Sequence, residues 1–259
     1  MTGPAGVVPR SPAVPPVPPM RRIDLDATWR ALQRAASDPY RRAGRFAWHF
    51  AHGKLGRDPV FRSLLEQGEL PPQARVLDIG CGQGLLASLL RAVDAFETWP
   101  EAWPAPPRAA SYTGIELMAR DVERARAALG TDRTRFVCTD MRDAELPASD
   151  VAVLLDVLHY VERDAQEALL VRVARSLAPR GRLLLRVGDM AHRRGYAASQ
   201  WVDRLVARIR GHRVAPTYGR TLAEWDALLG RLGFRVRSVP MSRGTPFANV
   251  LLIADLDAR

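Results

Sequence analysis

Four acidic residues of this sequence each follow a short apolar run: Asp78, Glu116, Asp140 and Asp156. Runs of this length and composition predict buried strands. In open α/β sheets, ligands bind in the crevice outside the carboxyl ends of the strands. The four carboxylates therefore predict one wall of a ligand site, and a carboxylate placed like Glu116 can accept both hydroxyls of a ribose.

A glycine turn follows the first of these strands. Gly80, Gly82 and Gly84 alternate between the strand that ends at Ile79 and a helical pattern that begins at Leu85. Glycines leave the backbone without side chains, so a ligand can approach the peptide groups closely. A dinucleotide site requires the spacing GxGxxG, which would place a glycine where Leu85 stands. The spacing and the preceding carboxylate favour a cationic, phosphate-free ligand, although the turn alone also fits other α/β proteins.

The run VLDIGCGQG at residues 76–84 resembles the first motif of the class I S-adenosylmethionine-dependent methyltransferases. Motifs ending at Glu116, Asp140 and Asp156 follow in the order of that family, and the resemblance covers about residues 74–256. It implies an α/β fold with a Rossmann-like, doubly wound sheet of seven strands in the order 3-2-1-4-5-7-6, the last strand antiparallel. It also implies S-adenosyl-L-methionine as the cofactor.

The resemblance implies roles for individual residues. Glu116 would bind the ribose, Asp140 would bind the adenine amino group, and Met141 would pack on the adenine ring. The backbone at Asp156 would lie near the amino group of the cofactor, with Val157 towards the adenine or sulfonium end. A helix cap is the alternative role of Asp140. The predicted cofactor-binding residues are Asp78, Gly80, Cys81, Gly82, Gly84, Glu116, Leu117, Asp140, Met141, Asp156, Val157 and Lys54.

Lys54 is the only lysine among the 38 basic residues. In a chain that otherwise uses arginine, a single lysine next to a glycine suggests a site that needs a compact ammonium group. We hypothesise that Lys54 pairs with the carboxylate of the cofactor or with an anionic substrate. An idle surface lysine is the alternative.

His159 and Tyr160 follow the strand that ends near Asp156 and are the predicted catalytic residues, on the substrate side. Methyl transfer from a sulfonium is an in-line displacement, so the enzyme must mainly align the acceptor atom with the methyl carbon and exclude water. A base is needed only if the acceptor must lose a proton, and His159 is the candidate because imidazoles titrate near neutral pH. Its alternative role is to shape the crevice. No clustered metal-ligand set of the catechol-methylating type is evident, so no metal is expected.

Residues 188–220 stand between the fifth and sixth predicted strands, where class I enzymes usually insert substrate-binding elements. This stretch combines arginine with aromatic residues, which can hold a carboxylate, a phosphate or a phosphopantetheine arm. A solvated, arginine-rich face is the alternative. The predicted substrate-facing residues are His49, His192, Arg193, Tyr196 and Tyr218.

Composition divides the chain into three parts. Residues 1–20 are rich in proline and predict a disordered tail. Residues 21–73 predict helices that form a lid, and residues 74–259 carry the methyltransferase motifs. A loop at residues 96–110, with two tryptophans and four prolines, is predicted at the far end of the sheet, either as a partner surface or as a packed loop without a role.

The net charge is +10, from 38 basic and 28 acidic residues. A positive field favours acidic partners: nucleic acid, an anionic membrane surface or an acidic carrier protein. Because the charges are spread along the chain, a general bias towards arginine explains most of them. No apolar run approaches the ~18 residues that span a membrane, and only two cysteines occur. We therefore expect a cytoplasmic protein.

The preferred interpretation is a methyltransferase that acts on oxygen, carbon or nitrogen of a small-molecule or carrier-linked acceptor. One alternative is an RNA methyltransferase, which would need a coherent basic stripe or an appended RNA-binding module. The sequence contains neither, so nucleic acid is not the expected partner. The other alternative is a cofactor-binding regulator without catalytic activity, against which the acidic residues at all four strand ends argue.

Overall fold

The computed structural model describes residues 24–130, 133–188, 218–242 and 249–258. Its strands are β1 (Arg75–Ile79), β2 (Ser111–Glu116), β3 (Thr134–Cys138), β4 (Ser149–Leu155), β5 (Leu177–Gly188), β6 (Phe234–Pro240) and β7 (Asn249–Leu256). They form one sheet in the order β3-β2-β1-β4-β5-β7-β6. The predicted strand order is therefore confirmed.

Strand β1 lies at the middle of the parallel part of the sheet. Val76 pairs with Tyr112 of β2 on one side and with Val151 of β4 on the other. β7 runs antiparallel to both β5 and β6. The direction of strand succession reverses between β1 and β4, and this is the point at which doubly wound sheets open a ligand crevice.

Helices cover both faces of this sheet. They are α1 (Leu25–Ser37), α2 (Arg45–Arg57), α3 (Pro59–Glu66), α4 (Leu85–Asp94), α5 (Ala119–Leu129), α6 (Arg163–Ser176) and α7 (Leu222–Arg231), with short 3-10 turns at Asp38–Arg41 and Leu158–Tyr160. A capping box is present at the start of α7, where the side chains of Thr221 and Glu224 each accept a hydrogen bond from the other residue's backbone amide.

The hydrophobic core has two layers, one on each side of the sheet. Val76 faces the layer built by α1 to α5, whereas its neighbours in β1, Leu77 and Ile79, face the layer built by α6 and α7. Because both faces are covered, the central strands are apolar without alternation. This burial fixes the direction of β1 and hence the position of the turn that follows it.

The N-terminal helices are anchored to the glycine turn. The hydroxyl of Tyr40 donates a hydrogen bond of 2.8 Å to the carbonyl of Gln83, and Gln83 Nε2 donates to the carbonyl of Ala47 at 2.9 Å. Ser88 Oγ in α4 donates to the carbonyl of Ala36 at 2.6 Å. All three donors are buried, so the segment predicted as a lid shares the core of the domain.

The loop at residues 96–110 packs at the amino ends of β1 and β2. Trp103 is buried, and Trp99 Nε1 donates to the carbonyl of Pro104 at 2.7 Å. The amide of Gln73, just before β1, donates to the carbonyl of Arg108 at 2.6 Å. The loop is therefore held against the body of the domain by its aromatic and backbone contacts.

The proline-rich residues 1–20 lie outside the described part of the chain. Within the described residues, the helices are all too short or too polar to cross a membrane.

Candidate functional site

Neighbouring strands and side chains hold the glycine turn after β1 on one side, and its other side is open. The amides of Gly80 and Cys81 donate to the carbonyl of Ile115 at 2.7 and 3.1 Å. A Cβ atom on Gly80 would come within 2.2 Å of Val157, and one on Gly84 within 2.9 Å of Phe136. A Cβ atom on Gly82 would meet no atom within 4 Å. Gly82 therefore marks the side of the turn from which a ligand can approach the backbone.

Glu116 stands beside this open side, at the end of β2. Its carboxylate accepts hydrogen bonds from the amides of Gly82 and Met118, each at 2.9 Å. Each carboxylate oxygen can accept more than one hydrogen bond, so these two amides orient the group and leave acceptor capacity for a ligand. The next side chain, Leu117, is 60% exposed and offers an apolar surface at the same strand end.

Asp78 and Cys81 lie beneath the turn. Asp78 is 4% exposed, and its carboxylate accepts a short hydrogen bond from the hydroxyl of Tyr112. Burial raises the pKa of Asp78 to about 7, with a further contribution from the charge of Glu116, although the Tyr112 bond acts against this shift. Burial also raises the pKa of the Cys81 thiol. Both side chains support the turn from the interior rather than facing the open side.

Asp140 follows β3, and its carboxylate is already engaged. It accepts hydrogen bonds from the Arg142 backbone amide at 2.8 Å and from the Arg142 guanidinium at 2.6 and 3.0 Å. These bonds to Arg142 lower the pKa of Asp140. A turn and not a helix follows Asp140, so its alternative role as a helix cap is wrong. A ligand amino group would have to compete with the exposed Arg142 side chain. Met141 is half-buried and packs against the core layer beneath.

Asp156 and Val157 connect β4 to the crevice. Asp156 has a φ angle of 61°, in the left-handed region that few residues other than glycine adopt. Val157 packs over Gly80. Lys54 reaches the same place from α2, with Nζ 2.7 Å from Asp58 Oδ2 and 3.9 Å from Asp156 Oδ2. The lysine charge is therefore shared between two carboxylates of the chain itself.

His159 and Tyr160 lie in the short turn after β4. Their rings are 4.1 Å apart, and the carbonyl of His159 accepts a hydrogen bond of 2.8 Å from the amide of Tyr218. The fully buried Gln166 fixes this arrangement, because its Nε2 donates to the carbonyls of Leu158, Val161 and Tyr218 at 2.8–3.1 Å. A cavity of about 260 Å³ is lined by Arg142, Tyr160, Val161, Glu162, Ala165 and Tyr218.

The other predicted substrate residues have different positions. His49 is exposed on α2, and its ring meets that of Trp48 in a T-shaped contact with the ring centroids 4.7 Å apart. His192, Arg193 and Tyr196 lie outside the described residues. Tyr218 and Tyr160 line the same cavity, so one predicted substrate residue and one predicted catalytic residue are brought together.

Three residues outside the predicted set also shape this site. Tyr112 bonds Asp78, Gln166 holds the turn with His159, and Arg186 pairs with Asp156. Arg186 carried a signal that could have been used, since it is a single charge inside the apolar run LLLRV of β5. A charge at a buried strand position requires a partner.

A second cavity, of about 420 Å³, lies at the opposite end of the sheet. It is lined by Gln73, Asp94, Arg108, Ala109, Ala110 and Arg133. These residues stand before the strands rather than after them. None of the predicted site residues borders this cavity.

Residues 47–239 match the protein-family model described as "Methyltransferase domain". The chain belongs to this methyltransferase family. The family predicted from the four motifs, the class I S-adenosylmethionine-dependent methyltransferases, is thereby confirmed, and S-adenosylmethionine is the cofactor that this family uses.

Two curated relatives of this methyltransferase carry the same name. A malonyl-[acyl-carrier protein] O-methyltransferase of Anoxybacillus flavithermus is 26% identical over 186 residues, which are 70% of this chain and 66% of the relative. A malonyl-[acyl-carrier protein] O-methyltransferase of Acetivibrio thermocellus is 31% identical over 86 residues, or 32% of this chain and 26% of the relative. The matches thus span less than two thirds of the length of either relative.

The methyltransferase also resembles solved structures in fold. Magnesium protoporphyrin IX methyltransferase from Synechocystis PCC 6803, with bound SAH, shares 19% identity at a TM-score of 0.55, over 90% of this chain and all of that chain. At this identity the likeness concerns the fold alone, and it agrees with the sheet order of the methyltransferase described above.

The residues around the glycine turn fit the cofactor of the family. A Cβ atom on Gly82 would project into this open side and keep a ligand away from the backbone, so a close approach depends on glycine there. The Glu116 carboxylate and the exposed Leu117 stand directly beside it. An acceptor for hydroxyl groups and an apolar face are what a ribose and an adenine require.

Proposed function

We propose that this chain transfers a methyl group from S-adenosylmethionine to a small-molecule or carrier-linked acceptor. The observation that carries the proposal is the open glycine backbone at Gly82, directly bonded to the Glu116 carboxylate at 2.9 Å. A hydrogen bond thus joins the open backbone at Gly82 to the Glu116 carboxylate, which would bind the ribose of the cofactor. They need little rearrangement on binding, which favours affinity.

The same residues define how the cofactor would be held. Glu116 would accept the ribose hydroxyls, and Leu117 with Met141 would enclose the adenine. The backbone at Asp156 and Val157 would border the amino-acid portion, with Lys54 as the nearest ammonium group to its carboxylate. When bound, the cofactor supplies a methyl group that is already activated by a sulfonium. The chain must then align the acceptor and keep water out, and such positioning can contribute up to ~7–11 kcal/mol.

The flanking segments would select the acceptor. Residues 21–73 are the proposed lid and residues 188–220 the proposed acceptor-facing insertion. The cavity between Tyr160, Tyr218 and Arg142 opens where the described chain leaves that insertion. Its arginine and phenol groups, with the Glu162 carboxylate beside them, suit an acceptor with hydrogen-bonding groups.

Among possible acceptors, a carboxylate on an acidic carrier protein has the most support. Both curated relatives are named for malonyl-[acyl-carrier protein], and a net charge of +10 favours an acidic partner. A carboxylate acceptor is already deprotonated at neutral pH, so it needs no base. In that reaction His159 would shape the crevice, whereas with a phenol or hydroxyl acceptor it would be the base.

The proposal is tested by incubating the protein with cofactor labelled in the methyl group and separate acceptors. The acceptors are malonyl-carrier protein, unloaded carrier protein, free malonate, a small-molecule extract and total RNA. We expect label on malonyl-carrier protein and none on the unloaded carrier. Label on the extract alone would replace the carrier by a free acceptor, and label on RNA alone would contradict the proposal.

The role of His159 is tested in the same assay. With a carboxylate acceptor, a His159→Gln variant is expected to keep kcat within about threefold and to keep the pH profile of the wild type. A loss of about 100-fold or more, with loss of the acidic limb of the profile, would assign the base role to His159 and indicate a protonated acceptor.

A further inference from the structure

Arg186 is a buried charge at the carboxyl end of β5. Only 2% of its surface is exposed. Its Nε donates to Asp156 Oδ1 at 2.8 Å, and its Nη2 donates to Asp58 Oδ2 at 2.8 Å and also contacts Asp156 Oδ2. Nη1 completes the set with Asp58 Oδ1. The guanidinium thus uses both of its edges, one for each carboxylate, which a lysine cannot do.

One partner of Arg186 holds an uncommon backbone conformation. Asp156, with its φ angle of 61°, is the residue directly after β4. Its amide donates to the carbonyl of Arg186 at 3.2 Å, while its carboxylate is held by the Arg186 side chain. Left-handed residues other than glycine persist where the surroundings over-determine them, and they concentrate at functional sites. Arg186 constrains Asp156 in this way through both its backbone carbonyl and its side chain.

The other partner belongs to the N-terminal helices. Asp58 caps α3 by accepting a hydrogen bond from the amide of Val60 at 3.1 Å, and it pairs with Lys54 of α2 at 2.7 Å. Burial alone would raise the pKa of Asp58, but the charges of Arg186 and Lys54 outweigh it and keep that pKa well below its usual range. Asp58 therefore stays ionised and ties the corner between α2 and α3 to the end of β5.

Stability alone does not explain this cluster. The buried Arg186 guanidinium and the largely buried Asp58 carboxylate lose most of their hydration, and Asp156 loses part of it. Well-packed apolar side chains of similar size are often as stabilising as such ion pairs. Leu184, two residues earlier on the same face of β5, is fully buried in the apolar layer on that side of the sheet. What the ions provide in addition is a fixed geometry between three separate parts of the chain.

We infer that Arg186 is a positioning residue of the methyl-donor site. It fixes the left-handed backbone at Asp156, and with it the following Val157 that packs over Gly80, and it clamps the corner between α2 and α3 against the same point. This inference rests on the proposed function, since it assumes that the cofactor binds beside this backbone. Arg186 acts through Asp156 and need not touch the cofactor.

The same strand offers a matched control. Arg182 is four residues earlier and lies on the same face of β5, between Glu69 at 3.1 Å and Asp255 at 2.7 Å. It is likewise an arginine held by two carboxylates. It lies towards the other end of the strand, away from the glycine turn.

The test compares Arg186→Lys with Arg182→Lys. Binding of S-adenosylhomocysteine is measured by titration calorimetry at a temperature where thermal unfolding shows both variants folded. We expect Arg186→Lys to weaken binding by about tenfold or more, because small displacements at a site cost this much, and Arg182→Lys to stay within about twofold of wild type. Equal affinities of the two variants would overturn the inference.

A second series avoids dependence on one variant. Asp156→Asn and Asp156→Gly can keep the left-handed backbone, whereas Asp156→Ala cannot do so without strain. We expect Asp156→Ala to bind more weakly than Asp156→Asn by about threefold or more, because of the two only asparagine keeps the left-handed backbone without strain. The inference fails if alanine binds as well as asparagine.

Wild-type protein separates this inference from the proposed function. If wild type does not bind S-adenosylhomocysteine, the proposed function fails and the inference falls with it. If wild type binds and Arg186→Lys binds equally well, the proposed function stands and Arg186 has no positioning role. A lowered melting temperature of Arg186→Lys without a change in affinity would likewise show that Arg186 has no positioning role.

Discussion

The two ends of β5 carry similar ion clusters in different settings. Near the amino end, Glu69 is 1% exposed and accepts hydrogen bonds from Arg182 and Arg237, in a region where β5, β6 and β7 pair regularly. At the carboxyl end, Arg186 holds Asp156 in a left-handed conformation. Left-handed residues other than glycine occur at both ends, since Gln73 and Arg180 have φ angles of 60° and 61° near the amino end. At the carboxyl end, however, the left-handed residue is itself a partner of the buried arginine.

The surroundings of the two clusters differ in the same sense. The glycine turn at the carboxyl end has an open side at Gly82, and Leu117 and Tyr160 expose large apolar surfaces. At the amino end, the loop at residues 96–110 buries Trp103. A buried charge alone therefore does not mark a functional site. Open backbone and exposed apolar side chains beside the charge are the distinguishing features.

The largest expected effect is on Gly82. A Gly82→Ala variant meets no atom of the chain but occupies the space open to the cofactor, so binding of S-adenosylhomocysteine should weaken by about 100-fold, or roughly 2.7 kcal/mol. Gly130→Ala is the control, because Gly130 also has positive φ, at 69°, and no atom within 4 Å of an added Cβ. The control should lose stability and keep its affinity. Similar affinity losses in both variants would remove the distinction between the site and an ordinary glycine.

The next effect compares two carboxylates at opposite ends. Glu116→Ala should weaken cofactor binding by about tenfold or more, since a charged hydrogen-bond acceptor is lost. Glu69→Gln should instead lower the free energy of unfolding by about 2–4 kcal/mol, because two arginines lose their buried partner. Titration calorimetry and urea denaturation measure the two quantities. The account is contradicted if Glu69→Gln loses affinity while folded.

Two aspartates should respond to pH with opposite signs. Burial raises the pKa of Asp78 to about 7, so the folded chain keeps a proton that the unfolded chain releases above about pH 4. This stabilisation is complete below the unfolded pKa and is lost as pH rises through 7. Asp78→Asn, which cannot ionise, should therefore be more stable than wild type at pH 8, on the order of 1 kcal/mol, with the gain shrinking towards pH 5.

Asp150, at the amino end of β4, is the matched case. Hydrogen bonds from Arg75 lower its pKa, so its contribution is present at neutral pH and lost as pH falls through the lowered pKa. Asp150→Asn should be less stable than wild type at pH 8, by a small amount because the pair is partly exposed. Melting curves at about pH 3, 5 and 8 check both variants. The Asp78→Asn gain should shrink between pH 8 and pH 5, the Asp150→Asn loss should shrink between pH 5 and pH 3, and the same sign for both at pH 8 would refute the assignment.

The smallest expected effect is at Leu117. Its side chain is 60% exposed, so Leu117→Ser should change the free energy of unfolding by less than about 0.5 kcal/mol. Cofactor affinity should nevertheless fall by about threefold, because apolar area that adenine would cover is removed. An unchanged dissociation constant would show that adenine does not contact this residue.

The sequence predicted the sheet because its information is local. Apolar runs, the glycines after β1 and acidic residues at the strand ends are all visible in short stretches, and the strand order followed from the family resemblance. The pairing of Arg186 with Asp58 joins residues 128 positions apart, so no local pattern reveals it. The left-handed Asp156 was missed for the same reason. Its conformation depends on contacts with the neighbouring strand.

The neighbouring residues in the sequence also do not reveal in which direction some side chains point. Asp78 precedes the turn and was predicted to meet the ligand, but burial by Tyr112 and the core directs it to the interior. In the sequence, Asp140 fitted both an adenine-binding role and a helix-cap role. Its bonds with Arg142 are visible only in the folded chain. Roles of these residues towards the cofactor stay predictions.

Hydrogen–deuterium exchange with and without S-adenosylhomocysteine tests the central claim most directly. The account predicts slower exchange in peptides that contain residues 79–90, 114–119 and 155–160, and unchanged exchange in peptides that contain Glu69 and residues 234–240. Protection confined to the amino end of the sheet, or no protection anywhere, would contradict it.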